Sequence, residues 1–239
     1  MSEPSPPPSP ATRVTSLRVS GPRGEKAVVV LEDGTEIRLD AGTLLREGLR
    51  EGDPVDPHLR ASLVEAGLRW DAREAALRLL SHRARSRREI EDRLRKKDVP
   101  PKLIREVADE LEERGWIDDD AFARAWVADR LRLRPKGRRA LSAELRKKGV
   151  DGALVEAALD HAFREEGASE LEIARELARR WLRRQPPALS AGLLTAGRTP
   201  EGEKARRRFQ GFMARRGIAG GMAFQVLEEL RAGDGSGEA

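Results

Sequence analysis

GRRALSAELRKKGV at residues 137–150 and SRREIEDRLRKKDV at residues 86–99 are the two stretches that decide the fold of this chain. A third copy, ARRRFQGFMARRGI, occupies residues 205–218. Each copy has an arginine pair, two apolar residues four positions apart, and a basic cluster that ends at Gly or Asp before a β-branched residue. Three occurrences of one pattern indicate tandem copies of a single helical unit.

The spacing of the copies locates an insertion. Arg87 and Arg138 are 51 residues apart, whereas Arg138 and Arg206 are 68 residues apart. Leucines at 80, 131 and 182 still keep the 51-residue spacing, so the additional residues fall within 185–203. This segment, rich in Pro, Gly, Ala and Thr, is therefore an insertion in the third repeat.

Helix start and stop signals divide each repeat into three helices. Ser86 and Glu89 form a capping box, and Pro101 fits a first helical turn. Gly149 suits a left-handed helix end, a place that Asp98 takes in the first copy. The predicted helices are 70–81, 86–97, 100–114, 119–133, 137–148, 151–165, 169–184, 203–216 and 219–231.

The N-terminal part follows a different pattern, with strand-like segments VTSLRVS, KAVVVLE and TEIRL at 14–39. Asp33-Gly34 between two of them favours a tight hairpin, and a short helix at 41–47 and a last short strand are expected to follow. The predicted fold is mainly α, with three tandem three-helix, helix-turn-helix-like repeats in an elongated curved array after a small β-rich module. The predicted divisions are a Pro/Ser tail at 1–12, the β-rich module at 13–60, a linker at 61–69, helical repeats at 70–117, 118–166 and 167–231, and a flexible tail at 232–239.

Composition limits the classes of function. The 239 residues include 46 basic and 41 acidic side chains, for a net charge of +5, and no cysteine. The lack of cysteine excludes disulfides, thiol catalysis and cysteine-bound zinc. No run of 18 apolar residues and no signal-peptide pattern occur, so we expect a protein of the cytoplasm that does not span a membrane.

Charge alternates between the helices of each repeat. The second-helix segments 85–97, 136–148 and 204–216 are strongly basic, with 7, 6 and 6 basic residues against 3, 1 and none that are acidic. The third-helix segment 98–114 instead holds 6 acidic and 3 basic residues. A repeated basic stripe suits a phosphate backbone. The candidate DNA- and filament-binding residues are Arg87, Arg88, Arg95, Lys96, Lys97, Lys136, Arg138, Arg139, Arg146, Lys147, Lys148, Lys204, Arg206, Arg207, Arg215 and Arg216.

A structural interpretation competes for some of these residues. Cations in the last turn of a helix complement its dipole by about 0.3–1 kcal/mol each, which could account for Lys96-Lys97 and Lys147-Lys148. The dipole cannot explain arginine pairs at helix N-termini. The acidic third helices either meet a basic protein partner or make local pairs such as Glu110 with Arg114.

No pattern indicates an enzyme. His58, His82 and His161 do not occupy equivalent positions, and no phosphate-binding GxxxxGK occurs. Asp118-Asp119-Asp120 is interpreted as a helix cap with acids in the first turn. The four tryptophans are expected in the core or at repeat junctions rather than as stacking platforms. We therefore predict a protein that is not an enzyme and that holds no catalytic residue, metal or cofactor.

The chain resembles the RecX family of recombinase regulators. The resemblance rests on GWIDDDAFA at 115–123, on LRKKGV at 145–150 and on the three-helix units around them, and it covers about residues 70–231. The insertion 185–203 and Asp98 depart from the family pattern. The resemblance implies a protein that binds RecA filaments on single-stranded DNA. We also expect a monomer, with double-stranded DNA as a further ligand. The resemblance also implies inhibition of strand exchange, ATP hydrolysis and coprotease activity in recombinational repair and the SOS response.

Two other functions fit the residues. Residues 86–118 resemble a winged-helix core, which would make the chain a helix-turn-helix protein acting on duplex DNA. A helical scaffold that binds only proteins is the other alternative. It predicts little dependence of binding on salt or on the arginine pairs.

Overall fold

The computed structural model describes residues 12–21, 24–165, 167–195 and 199–234, with side chains described up to residue 232. Two compact units, Met1–Ile117 and Asp118–Ala239, make up the chain. The tails predicted at 1–12 and 232–239 lie largely outside the described residues. Thr12 does not belong to a tail, because it is buried and pairs with Val55 in a sheet. At the other end, the last helix continues to Asp234.

The N-terminal strands form one four-stranded antiparallel sheet in the order β3-β2-β1-β4. A hairpin at Asp33-Gly34 joins β2 to β3, as predicted, with Gly34 at φ +81°. Alternate residues of β2 are buried, so one face of the sheet packs on the core. The elements are β1 (Thr12–Ser20), β2 (Lys26–Leu31), β3 (Glu36–Asp40), α1 (Ala41–Glu47) and β4 (Pro54–Val55).

The next element is one long helix, α2 (Pro57–His82). The prediction of a linker at 61–69 was therefore wrong. Asp56 caps the helix by accepting a hydrogen bond from the Leu59 amide at 2.7 Å, and proline occupies the first turn. Gly67, which falls within the predicted linker, allows the helix to pack closely against the sheet. A Cβ there would stand 2.9 Å from Ile37 Cγ2.

The first repeat combines the second half of α2 with α3 (Arg87–Arg95) and α4 (Pro101–Glu113). Its core includes Ile90, Leu94 and Val107, each fully buried. The Ser86 hydroxyl accepts a hydrogen bond from the Glu89 amide at 3.2 Å, as the capping pattern predicts. Asp98 has φ +57°, which confirms the left-handed helix end in the first copy.

The second unit contains the other two repeats. Repeat two was predicted to end in one α-helix at 151–165, but the chain turns π-helical at His161–Glu165. Repeat two has its own core around Leu141, Leu145 and Val127. The helices are α5 (Asp119–Leu133), α6 (Arg138–Lys147), α7 (Gly152–Asp160), α8 (Glu170–Leu182), α9 (Pro187–Leu194), α10 (Pro200–Arg215) and α11 (Gly220–Asp234).

The insertion is structured over most of its length. Helix α9 lies within residues 185–203, with Pro187 in its first turn and Leu193 fully buried in the core of repeat three. Helix α10 also begins at Pro200, before the predicted start at 203. Proline and glycine content did not reveal this helix, because proline is accepted in a first turn and tertiary packing stabilises short helices.

Repeats two and three meet through backbone rather than through a shared apolar core. The Gly137 amide donates to the Arg216 carbonyl at 2.8 Å, and the Arg138 amide donates to Glu170 Oε1 at 3.0 Å. A Cβ on Gly217 would lie 2.4 Å from the Ala140 nitrogen. The buried apolar residues of the two repeats form separate clusters.

Candidate nucleic-acid interface

The first arginine of the first pair is an internal ion-pair residue. Arg87 Nη2 lies 2.5 Å from Asp109 Oδ1, and Arg87 Nε lies 3.0 Å from Glu91 Oε1. Glu112 also contacts its guanidinium. Burial disfavours the charged guanidinium, but the hydrogen bonds that it donates to these three carboxylates outweigh burial and raise the pKa of Arg87. Arg87 is held against α4 rather than presented to a ligand.

Arg138 repeats this arrangement in the second repeat. Its Nη2 lies 2.8 Å from Glu156 Oε2 and 2.7 Å from Asp160 Oδ1. The Glu156 hydrogen bond raises the pKa of Arg138, and it outweighs the opposing effect of burial. Asp160 follows Asp109 by the 51-residue repeat distance. Acids of the third helices therefore form ion pairs with the first arginines of repeats one and two.

The third copy departs from this rule. Arg206 Nε is buried, and it finds no hydrogen-bond partner within the described residues. The position equivalent to Asp109 is Glu228, which pairs instead with Arg231 at 2.7 Å. The first arginine thus forms ion pairs with third-helix acids in repeats one and two, whereas Arg206 Nε in repeat three has no hydrogen-bond partner within the described residues.

The second arginine of each pair has the opposite environment. Arg88, Arg139 and Arg207 are exposed. None of the three has an acidic partner in the described part of the chain. Five other predicted residues share this state. Within the described part of the chain, the eight predicted residues that are exposed and unpaired are Arg88, Lys96, Lys97, Arg139, Lys147, Lys204, Arg207 and Arg215.

The remaining candidates contact groups of their own repeat. Lys148 Nζ lies 4.1 Å from the Trp126 ring centroid, and the Arg216 guanidinium lies 5.5 Å from the Phe212 ring. Lys136 contacts Glu144, which also accepts hydrogen bonds from Arg130 and Trp126. Arg95 pairs with Asp92 at 2.5 Å, and Arg146 lies 3.3 Å from the Ser142 hydroxyl and 3.7 Å from Glu156.

The tryptophans divide between core and surface. Trp70 and Trp181 are buried, as predicted. Trp126 is half-buried, and the Arg130 guanidinium covers its ring at 3.9 Å. Trp116 is outside the core: it lies at the end of repeat one, directly after the left-handed turn at Gly115, and is 58% exposed.

Shallow clefts in the second unit bring several cations together. Arg139 and Arg215 line one cleft of about 490 Å³ at the junction of repeats two and three. Arg207 and Arg215 line another within repeat three, together with Arg208. Arg208 was absent from the predicted set, although it directly follows the third arginine pair. The junction thus places exposed cations of two repeats in one region of the second unit.

The described residues give little support to a metal site or to a membrane-spanning helix. They contain no group of three or more His, Asp or Glu side chains suited to holding a metal ion. Within the same residues, no helix has the length and apolar character needed to cross a membrane.

Comparisons with known proteins agree with the repeat organisation. Residues 72–111 match the family model of the RecX first three-helix domain, and residues 118–159 match that of the second. Regulatory protein RecX of Streptomyces lividans is 40% identical over 164 residues, a region that spans 69% of this chain and 79% of the relative. The chain belongs to the RecX family. The RecX proteins of Thermobifida fusca and Mycolicibacterium smegmatis are 40% and 41% identical, over 67% and 65% of this chain and 80% and 77% of theirs.

Solved RecX structures share the fold. A crystal structure of regulatory protein RecX superposes with a TM-score of 0.66 at 20% identity, over 91% of this chain and 99% of that one. RecX from Lactobacillus salivarius gives a TM-score of 0.53 at 23% identity, over 69% and 97% of the respective chains. The mainly helical fold of RecX repeats after a small sheet is therefore established for this chain, together with a regulatory role.

Proposed function

We propose that this RecX-family protein is mainly an inhibitor of the RecA recombinase that binds RecA filaments on single-stranded DNA. It lowers strand exchange, ATP hydrolysis and coprotease activity in recombinational DNA repair and the SOS response. It acts in the cytoplasm as a monomer, by occupancy rather than by catalysis, and needs no cofactor. Double-stranded DNA is a further ligand.

One observation carries this proposal: exposed cations without acidic partners recur at equivalent positions of the basic second helices. Arg88 and Arg139 remain available because Arg87 and Arg138 satisfy the nearby carboxylates of their own repeats, and Arg207 is exposed at the equivalent position of the third repeat. Each cation that neutralises a phosphate releases a counterion, so regular spacing favours a polyanion over a single small ligand. No base needs to be recognised for such binding, which suits a filament assembled on any sequence.

The test is RecA ATP hydrolysis on single-stranded DNA during titration with this protein, at two salt concentrations. Inhibition at well under one molecule per recombinase protomer, weaker at the higher salt, supports a filament regulator. Tight, salt-sensitive DNA binding without inhibition would contradict the proposal and favour the duplex-binding alternative. Binding that ignores salt would favour the protein-only scaffold.

A further inference from the structure

A further cleft at the junction of repeats two and three contains cations that the basic second helices do not supply. It measures about 410 Å³ and lies between the end of α5, the end of α8 and α10. Its charged walls are Arg134, Lys136, Arg180, Arg184 and Arg216. Only Lys136 and Arg216 belong to the set expected from the repeat pattern.

The electrostatics of this cleft favour an anion. No acidic side chain lines it. Arg134 and Arg184 are exposed and have no acidic partner within the described residues. Arg180 pairs with Glu176 on the solvent side of its own helix, and Lys136 pairs with Glu144. Two guanidinium groups are thus uncompensated at the cleft, and guanidinium geometry matches phosphate oxygens.

The floor of the cleft is apolar. Trp181 packs on Phe212 with ring centroids 6.3 Å apart, and the Arg216 guanidinium lies over the Phe212 ring. Leu133, on the rim, is 60% exposed. A simple phosphate ion gains nothing from such a surface. An unstacked nucleobase gains contact area from it, as it does on the apolar platforms of single-strand-binding proteins.

We propose that this cleft binds one nucleotide unit of single-stranded DNA, with the phosphodiester at Arg134, Arg180 and Arg184 and the base over Leu133 and Phe212. A duplex cannot supply this ligand unless a base leaves its stack. The inference deepens the proposed function by naming a strand-binding subsite, and it depends on that function only for the source of the strand.

The ends of α8 offer a matched pair of variants. Arg180→Ala/Arg184→Ala removes two cations from the cleft. Arg179→Ala/Arg183→Ala removes two exposed cations of the same helix that lie outside the cleft. Both change net charge equally and remove cations from the same helix end. Binding of the full chain to a fluorescent oligo(dT) is measured by anisotropy without recombinase.

The cleft variant is expected to weaken binding about tenfold or more and to reduce the salt slope by about 1.4, from two lost phosphate contacts. The control is expected to stay within about twofold of the unmodified protein, because Arg179 and Arg183 lie outside the cleft and make no direct contact with a strand bound there. Equal losses for the two variants would mean a diffuse positive field and would overturn the subsite, as would no loss for either.

The base component has its own measurement. An abasic oligonucleotide of equal length is expected to bind the unmodified protein about tenfold more weakly than oligo(dT), since stacking contributes strongly for each base. Leu133→Ser, a substitution at the protein surface, should reduce the difference in affinity between oligo(dT) and the abasic oligonucleotide. Equal affinity for the two oligonucleotides would overturn the nucleotide assignment and leave a site for phosphate alone.

Failure of the subsite and failure of the proposed function are distinguishable. Oligonucleotide binding tests the cleft without RecA, whereas ATP hydrolysis tests the regulatory role. Loss of oligonucleotide binding in the cleft variant supports the subsite even if the unmodified protein does not inhibit RecA. Inhibition of RecA with unchanged oligonucleotide binding by the cleft variant overturns the subsite alone.

Discussion

Asp160 lies 2.7 Å from Nη2 of Arg138 and repeats, at a distance of 51 residues, the contact between Asp109 and Arg87. Each pair joins the second helix of its repeat to the third. The uneven charge of the helices is therefore partly internal: acids of the third helix hold the first arginine and leave the second arginine exposed. Adjacent arginines of one motif therefore have different environments.

Replacing Arg138 should destabilise the protein, whereas replacing its neighbour should not. Arg138→Ala removes the shortest ion pairs of Asp160 and Glu156, which keep the longer contacts with Arg164 at 3.4 Å and Arg146 at 3.7 Å. We expect a loss of about 1–2 kcal/mol in the free energy of unfolding. Arg139→Ala removes an exposed charge and should change it by less than about 0.5 kcal/mol. Urea denaturation of both variants measures the difference. Equal effects would contradict the division of roles within the pair.

Glu144 makes stability depend on pH. Burial disfavours its charge, but hydrogen bonds from Lys136, Arg130 and Trp126 outweigh burial and hold the pKa of Glu144 below its ordinary value of 4.5. A lowered carboxylate pKa contributes stability above pH 4.5 that is lost as pH falls through the folded-state pKa. Glu144→Gln should be less stable than the unmodified protein at neutral pH, and this difference in stability should decrease below pH 4.5. Denaturation midpoints across about pH 3 to 7 measure this. A deficit that stays constant with pH would exclude the carboxylate as its cause.

Gly217 tests the junction of repeats two and three. It has φ +81°, and a Cβ would lie 2.4 Å from the Ala140 nitrogen, so Gly217→Ala meets both backbone strain and a clash. Gly115 has φ +70° with open space around it and serves as the control. Gly115→Ala should cost about 1–2 kcal/mol, and Gly217→Ala about 1–3 kcal/mol more. Thermal unfolding of both variants gives the comparison. Identical costs would mean that the close approach does not hold the repeats together.

Two tryptophans should respond differently to truncation. Trp181 is 8% exposed and packs on Phe209, so Trp181→Ala should cost about 3–5 kcal/mol. Trp116 is exposed, and Trp116→Ala should change stability by less than about 1 kcal/mol. Denaturation followed by circular dichroism measures both. A large cost at Trp116 would mean that its ring is covered in solution.

Periodic residues predicted much of the fold. Ile90, Leu94, Leu141 and Leu145 are fully buried where the repeat placed them, and Asp98 takes the left-handed turn. Elements without a repeat partner were missed. Asp56-Pro57 is the signal for the start of α2, because Asp56 caps the helix and proline fits its first turn. Helix α9 is stabilised by the burial of Leu193, and composition does not reveal that burial.

The candidate site was less accessible to sequence reasoning. The repeat identified the arginine pairs, but whether Arg87 meets Asp109 depends on how α3 packs on α4. Arg134, Arg180 and Arg184 lie outside the repeated motif and converge only through tertiary structure. Arg180 and Arg184 are four residues apart and flank Trp181 at the end of α8. This spacing is the sequence feature that could have pointed to the cleft.

The most direct test of the central claim compares two charge-matched triple variants as inhibitors of RecA ATP hydrolysis on single-stranded DNA. Arg88→Ala/Arg139→Ala/Arg207→Ala removes the exposed second arginines. Arg105→Ala/Arg179→Ala/Arg183→Ala removes three exposed cations from other helices. We expect the half-inhibitory concentration to rise about tenfold or more for the first and to stay within about twofold for the second. Undiminished inhibition by the first variant would contradict the account.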